Sequence, residues 1–457
     1  MAAVNYEYVY AFPSLLEAVA DGRRLTLATC GGVEKHPYFF QGRFMQPRRC
    51  ADMLLTISEI SRTRFYSPTE IRERMLAAAD PVVTSGGDRL RFEAFSVCCG
   101  AYARVDLRPE AVDGDYISRG TTNVDFNPPM RAALTSILNT ERVGLNVGAN
   151  SVELERGAGK VIERKVKLPV RWLKGFVEVQ AYQPKMKPVF EICADEARRF
   201  FRTLPTHSIT SKGNVMYVVA AGKGLRLSTR EAPNAVLLGA PGRLKVLDPL
   251  LRHAKLLRVY GGPEGVSGWE VVLDDASFHL VLSPDASRGF SGQGQVLSQL
   301  AKGRGGDALA GVKATLKWQS RMEPNVLARQ LQVDTEVISD ALAMLGTRGL
   351  VGYDLADGAF FHRELPFDMQ LVEELQPRLL NARKMVEEKA VRIVKRTGER
   401  VEAYVKGSEV EHRVVIDGDE ANCTCTWNVK HSGERGACRH ILALEISISD
   451  QDNGKNN

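Results

Sequence analysis

The chain has 457 residues, 44% of them hydrophobic and 25% charged, and a formal net charge of +6. That length exceeds one compact domain and implies three or four units at roughly 100–200 residues each. The composition is ordinary for globular protein and excludes a low-complexity chain, while the mild positive charge permits a nucleic-acid binder without announcing one.

The first stretch, MAAVNYEYVYAFPSLLEAVADG, lacks a basic segment followed by an apolar core, so no signal peptide is expected. No run of about 18 apolar residues occurs, so no membrane span is expected either. Cys30, Cys50, Cys98, Cys99 and Cys193 are scattered singly or as one adjacent pair. They form no disulfide framework and fit a reducing cytoplasm, where close-set cysteines are read as metal ligands.

Residues 1–205 read as one mixed α/β domain of unassigned role. ADMLLTISEISRTRFYSPTEIRERMLAA predicts two helices parted by Ser67-Pro68, with Ser67 as the cap of the second. LRFEAFSVCCGAYARVDL alternates like a strand or hairpin. In GTTNVDFNPPMRAALTSIL a turn precedes a helix capped by Asn127, with Pro128 and Pro129 at its first positions. GKVIERKVKLPVRWLKGFVEVQAY reads as strands, and DEARRFFRTL as a short helix. From 206 to 290 short apolar runs such as NVMYVVAA, LLRVYGG, GWEVVLDD and FHLVLS alternate with Gly/Pro turns, a β-rich middle domain.

Residues 291–368 resemble a winged helix-turn-helix. Asn325–Leu331 is a short helix, Gln332–Asp334 a turn, and Thr335–Arg348 a second helix. Val337, Ile338, Ala341, Leu342 and Leu345 share one face of that second helix. Two strands joined at Asp357-Gly358 follow, a strong hairpin pair. Residues 369–450 form the last unit: a helix broken near Pro377, strands in VEAYVKGSEVEHRVVIDGD, and the helix HILALEI. The polar tail 451–457 is expected to be disordered.

Between those strands and that helix lies CTCTWNVKHSGERGACRH. Cys423 and Cys425 form a Cys-x-Cys pair, and Cys438 and His440 a Cys-x-His pair. Thiolates and imidazole suit Zn²⁺, and four such ligands close a tetrahedron with no open position for water. One structural zinc ion is therefore expected. His431 lies inside the loop, where it could swap in as a ligand but reads rather as an exposed loop histidine.

This block, from Val401 to Ile446, resembles a SWIM zinc finger: Cys-x-Cys, a variable loop, Cys-x-His, in a strand–strand–helix fold. The resemblance implies a module that binds DNA or protein. FSVCCGAYARVDL and GTTNVDFN make the wider chain similar to bacterial SWIM-containing proteins encoded near MoxR-type AAA ATPases and von Willebrand A proteins. That likeness implies those two proteins as partners and carries no known reaction.

A DNA-reading helix needs Arg, Lys, Asn or Gln on its exposed face. The outward positions of the second helix are Thr335, Glu336, Ser339, Asp340, Ala343 and Thr347, two of them acids. A protein-docking role fits better, though Arg329, His362 and Arg363 could touch a nucleic-acid backbone. The stronger basic strip runs through RKMVEEKAVRIVKRTGER. Lys395 and Arg396, with Lys430, Arg435 and Arg439 near the metal motif, are the candidate nucleic-acid contacts. The alternative is a solvated helix face with Glu387, Glu388 and Glu399 interspersed.

No Walker motif or nucleophile–base pair is recognisable. Glu93, Asp106 and Asp125 are the candidate acids for an enzyme hidden in the N-terminal half. The reading is thus a multidomain α+β, zinc-binding cytoplasmic adaptor that binds a protein partner or nucleic acid. A nucleic-acid-binding regulator and an enzyme of unknown reaction are the alternatives.

Overall fold

The computed structural model describes residues 15–19, 22–26, 37–63, 81–157, 159–166, 168–205, 215–284, 289–292, 294–302, 306–316, 319–365, 376–408, 410–418, 420–433 and 435–454. The helix expected after Ser67-Pro68 lies outside them.

The architecture mixes helices with several antiparallel sheets. Helices α1 (Pro47–Arg62), α2 (Pro128–Thr135), α3 (Val170–Tyr182) and α4 (Ala194–Arg202) belong to the first part of the chain. Asn127 caps α2 as its sequence predicts: its side chain accepts from the Met130 N–H at 3.3 Å. A five-stranded sheet is built around Tyr38–Phe44, and a three-stranded one around Val215–Ala221.

The largest sheet has eight strands in the order Lys187–Cys193, Leu256–Gly261, Ser267–Val272, Ala276–Leu282, Ala101–Leu107, Leu90–Phe95, Val82–Ser85, Gly120–Asn123. Its seam pairs Phe278 with Val105 and Leu280 with Ala103. All four side chains are completely buried, in an apolar core that runs from Phe40 to Leu282 and beyond. A division at 205/206 therefore falls inside one sheet and one core. Composition changes there because the turns change, whereas the layer is closed only when strands from both segments pair.

The strands expected over 159–182 are only partly present. Gly159–Arg164 is a strand, but 170–182 is helical. Trp172, Phe176 and Val179 recur at helical spacing, and all three are fully buried. Phe176 meets Phe95 edge-on at 5.0 Å. The aromatic and β-branched content suggests strand, and packing against the large sheet overrides it.

Four helices follow: α5 (Val296–Lys302), α6 (Gly306–Thr315), α7 (Pro324–Leu331) and α8 (Thr335–Thr347). A hairpin of Val351–Asp354 and Ala359–His362 completes this segment. Its small core includes Val312, Leu327, Ile338, Leu342 and Leu345. Two expectations for α8 fail. Val337 is 40% exposed, and Thr347, expected outward, is 1% exposed. The C-terminal turn of α8 lies against α3, with Gly346 beside Gln180, and its residues 344–347 are buried while Val337 is left outside.

The last unit comprises α9 (Pro377–Glu387), a sheet in the order Val391–Thr397, Arg400–Lys406, Glu411–Asp417, Glu420–Cys423, then α10 (Thr426–His431) and α11 (Arg439–Gly454). Residues 391–397 are an edge strand rather than a helix face. The turn is made at Lys389, with φ +54°. α11 continues to Gly454, so the start of the tail expected to be disordered is helical. The core of this unit contains Leu379, Ala403, Val405 and Leu442, but also Val177 of α3 and Leu297 of α5. No helix among the described residues is long and apolar enough to cross a membrane.

Candidate metal centre

The strand Glu420–Cys423 delivers Cys423 at its last position, and Cys425 caps α10. Cys438 ends the returning loop, and His440 enters on the first turn of α11. All four are buried, and their ligand atoms lie within 4.8 Å of one another. His440 Nδ1 is 3.7 Å from Cys423 Sγ and 4.0 Å from Cys438 Sγ. A tetrahedral Zn²⁺ with bonds of ~2.3 Å to sulfur and ~2.0 Å to nitrogen separates those atoms by about 3.5 Å. The donor set therefore fits one zinc ion, with His440 contributing Nδ1.

Backbone donors orient two of the thiols. The Cys425 N–H donates to Cys423 Sγ, and the Asn428 N–H donates to Cys425 Sγ, each at 3.4 Å. Such donors orient ligands and stabilise their charge. The hydrogen bond from Cys423 draws the Cys438 thiol down to about 4, and pushes Cys423 itself up. Zinc takes its sulfur ligands as thiolates, so metal binding releases the thiol protons.

The loop between the ligand pairs is held by residues that the motif does not announce. Two guanidiniums lie over the Trp427 ring, Arg378 at 4.8 Å and Arg435 at 4.9 Å from its centroid. Arg378 also donates to the carbonyls of Arg435 (2.7 Å) and Ala437 (3.0 Å). Gly436 adopts φ +70°, and a Cβ there would stand 2.0 Å from the Gly294 carbonyl oxygen. That approach places the loop on the start of α5, where buried Glu178 accepts from the N–H groups of Gly294 at 2.9 Å and Gln295 at 2.7 Å. His431 packs on Trp427, ring centroids 4.5 Å apart, and is not part of the ligand cluster.

The candidate nucleic-acid contacts do not converge. Lys395 and Arg396 are exposed on the edge strand Val391–Thr397, at the far side of the sheet from the metal. Lys430 is exposed on α10. Arg435 is committed to Trp427, and Arg439 lies 3.4 Å from the His440 ring. Between them the sheet alternates in sign: Arg392 pairs with Glu411, Arg400 with Asp417, and Arg413 with Glu402. In the large sheet, Glu93 is buried, accepts from Tyr102 at 2.6 Å, and pairs with Arg363. Asp106 pairs with Arg104 at 2.8 Å. Asp125 belongs to neither network, and burial raises its carboxyl. The three candidate acids thus form no shared site.

Residues 412–449 match the family described as SWIM zinc finger, so the chain carries a SWIM zinc finger at its C-terminal end. No curated protein matches the chain. A solved structure, the proliferating cellular nuclear antigen from Entamoeba histolytica, is similar to 54% of this chain and 99% of that one, with 9% identity and a TM-score of 0.35.

Proposed function

We propose that the protein is a cytoplasmic adaptor in which zinc holds the finger as a docking surface for a protein partner. One observation carries this reading: the four ligands are buried in a core that also contains Val177 of α3 and Leu297 of α5. A closed ligand set does no chemistry on water, and here it stiffens a junction between parts of the chain. The segment from α6 to the hairpin is read as a winged-helix-like docking module, supported by its three helices followed by two strands. Its α8 is a poor DNA reader: Glu336 and Asp340 are exposed, and Arg363 is buried against Glu93.

Protein is favoured over nucleic acid because the bases of the last sheet are largely matched by acids. An enzyme is disfavoured because Glu93 and Asp106 are engaged by arginines. MoxR-type AAA ATPase and von Willebrand A proteins are the first partners to test. In a pull-down with the full chain, a partner should be recovered by the zinc-loaded protein and lost with Cys438→Ser. Binding to labelled DNA or RNA that falls steeply with salt and is lost in Lys395→Glu/Arg396→Glu would replace this reading with a nucleic-acid-binding one.

A further inference from the structure

A cavity of about 810 Å³ lies where α3, α8 and the zinc finger meet. That volume is in the range of ligand sites. Its charged lining, among the described residues, is Glu264, Asp340, Glu420 and Glu445 against a single Lys185. Asp340 is one of the acids that make α8 unsuited to DNA. Asn428 adds a second, independent feature. It is 8% exposed, lines the cavity, and its carboxamide makes no hydrogen bond among the described residues. Its carboxamide oxygen is an acceptor on the cavity wall, to which an N–H of a ligand can donate. The zinc ligands set this wall: Asn422 precedes Cys423, Ala437 precedes Cys438, and Ile441 follows His440.

We propose that this cavity binds a peptide segment bearing arginine or lysine side chains, and that zinc holds the wall that recognises it. Cationic side chains suit the carboxylates, and their N–H donors suit the Asn428 oxygen. The partner is named a peptide on the strength of the adaptor reading; the cationic chemistry rests on the cavity alone. The site is distinct from the basic strip on the edge strand.

The test measures fluorescence anisotropy of a labelled nonapeptide of alternating glycine and arginine with the zinc-loaded full chain. The same-length glycine–glutamate and glycine–serine peptides are compared, with spermidine as competitor. The arginine peptide is expected to bind at least about tenfold more tightly than either comparison peptide. Asp340→Lys/Glu420→Lys should weaken it about tenfold or more. Both residues are exposed, so zinc content serves as the check that the variant is folded. Chelation of zinc should weaken binding to a similar degree. Equal binding of all three peptides, or full binding by the charge-reversed protein, overturns the proposal. Tight spermidine binding without peptide binding overturns the peptide assignment. If the charge-reversed protein still recovers its partner in the pull-down undiminished, the cavity proposal falls while the adaptor reading stands. Loss of that recovery only in Cys438→Ser points the same way.

Discussion

Two buried clusters among the described residues have the make-up of a metal site, and only one of them needs a metal. Cys423, Cys425, Cys438 and His440 form the first; Asp106, His279 and Asp354 form the second, also with ligand atoms within 4.8 Å of one another. In the second, Arg104 lies 2.8 Å from Asp106 and 2.9 Å from Asp354, and Arg91 stands 3.4 Å from Asp106. Burial works against charge on both carboxyls, but Arg104, His279 and Arg91 together outweigh it and hold both below the usual carboxylate range. The cation is already present as guanidinium, and a divalent ion would meet it head-on. The first cluster has no such counter-charge among its ligands and is completed by Zn²⁺. Ligand identity and spacing mark a site, and the neighbouring charges decide its occupant.

The largest test removes the metal. Cys438→Ser or chelation should cost the finger on the order of 10 kcal/mol of folding free energy. Metal analysis should fall from one zinc per chain to none. Because Val177 and Leu297 share its core, hydrogen-exchange protection should also fall in α3 and α5. Loss confined to residues beyond 377 would show that the junction is not mechanically coupled to the metal.

Breaking the arginine cluster is the matching experiment. Asp354→Ala leaves Arg104 and Arg91 with one carboxylate fewer in a dry interior, a loss of about 3–5 kcal/mol by thermal or urea unfolding. Zinc content should stay at one per chain. A drop in metal content would make the second cluster a metal centre after all.

Glu178 is a third case, held by neither metal nor arginine in direct contact. Burial raises its carboxyl from 4.5 to about 7, against the backbone N–H groups that favour its charge. The folded state therefore holds this proton more tightly than the unfolded state. Its contribution is present in full below pH ~4.5 and is lost as pH rises to about 7, up to roughly 3 kcal/mol. Glu178→Gln should flatten that part of the stability–pH curve. An unchanged slope would mean that Glu178 is ionised throughout.

Exposed charges mark the lower limit. Lys395→Glu/Arg396→Glu should change stability by no more than about 0.5 kcal/mol, since solvated surface charges contribute little. A larger loss in urea unfolding would reveal a structural role for the edge strand.

The metal centre was legible in the sequence because its ligands are local: four residues within one short block, flanked by alternating strands and an apolar helix. The Asn127 cap, the Asp357-Gly358 hairpin and the strands of the middle segment were legible for the same reason. The helix at 170–182 was not, because its side chains suit either element until the sheet beside it decides. Nor was the edge strand at 391–397, whose mixed charges carry no periodic signal.

By itself, then, the sequence determined the local chemistry: a closed zinc set, its finger, and the type of most short elements. Tertiary structure alone decided that the two sheet halves form one layer, that Arg363 and Thr347 point inward, and that four acids from distant segments surround one cavity. Spacing along a chain specifies neighbours within a few residues. Burial and charge pairing depend on partners up to 270 positions away, as Glu93 and Arg363 are.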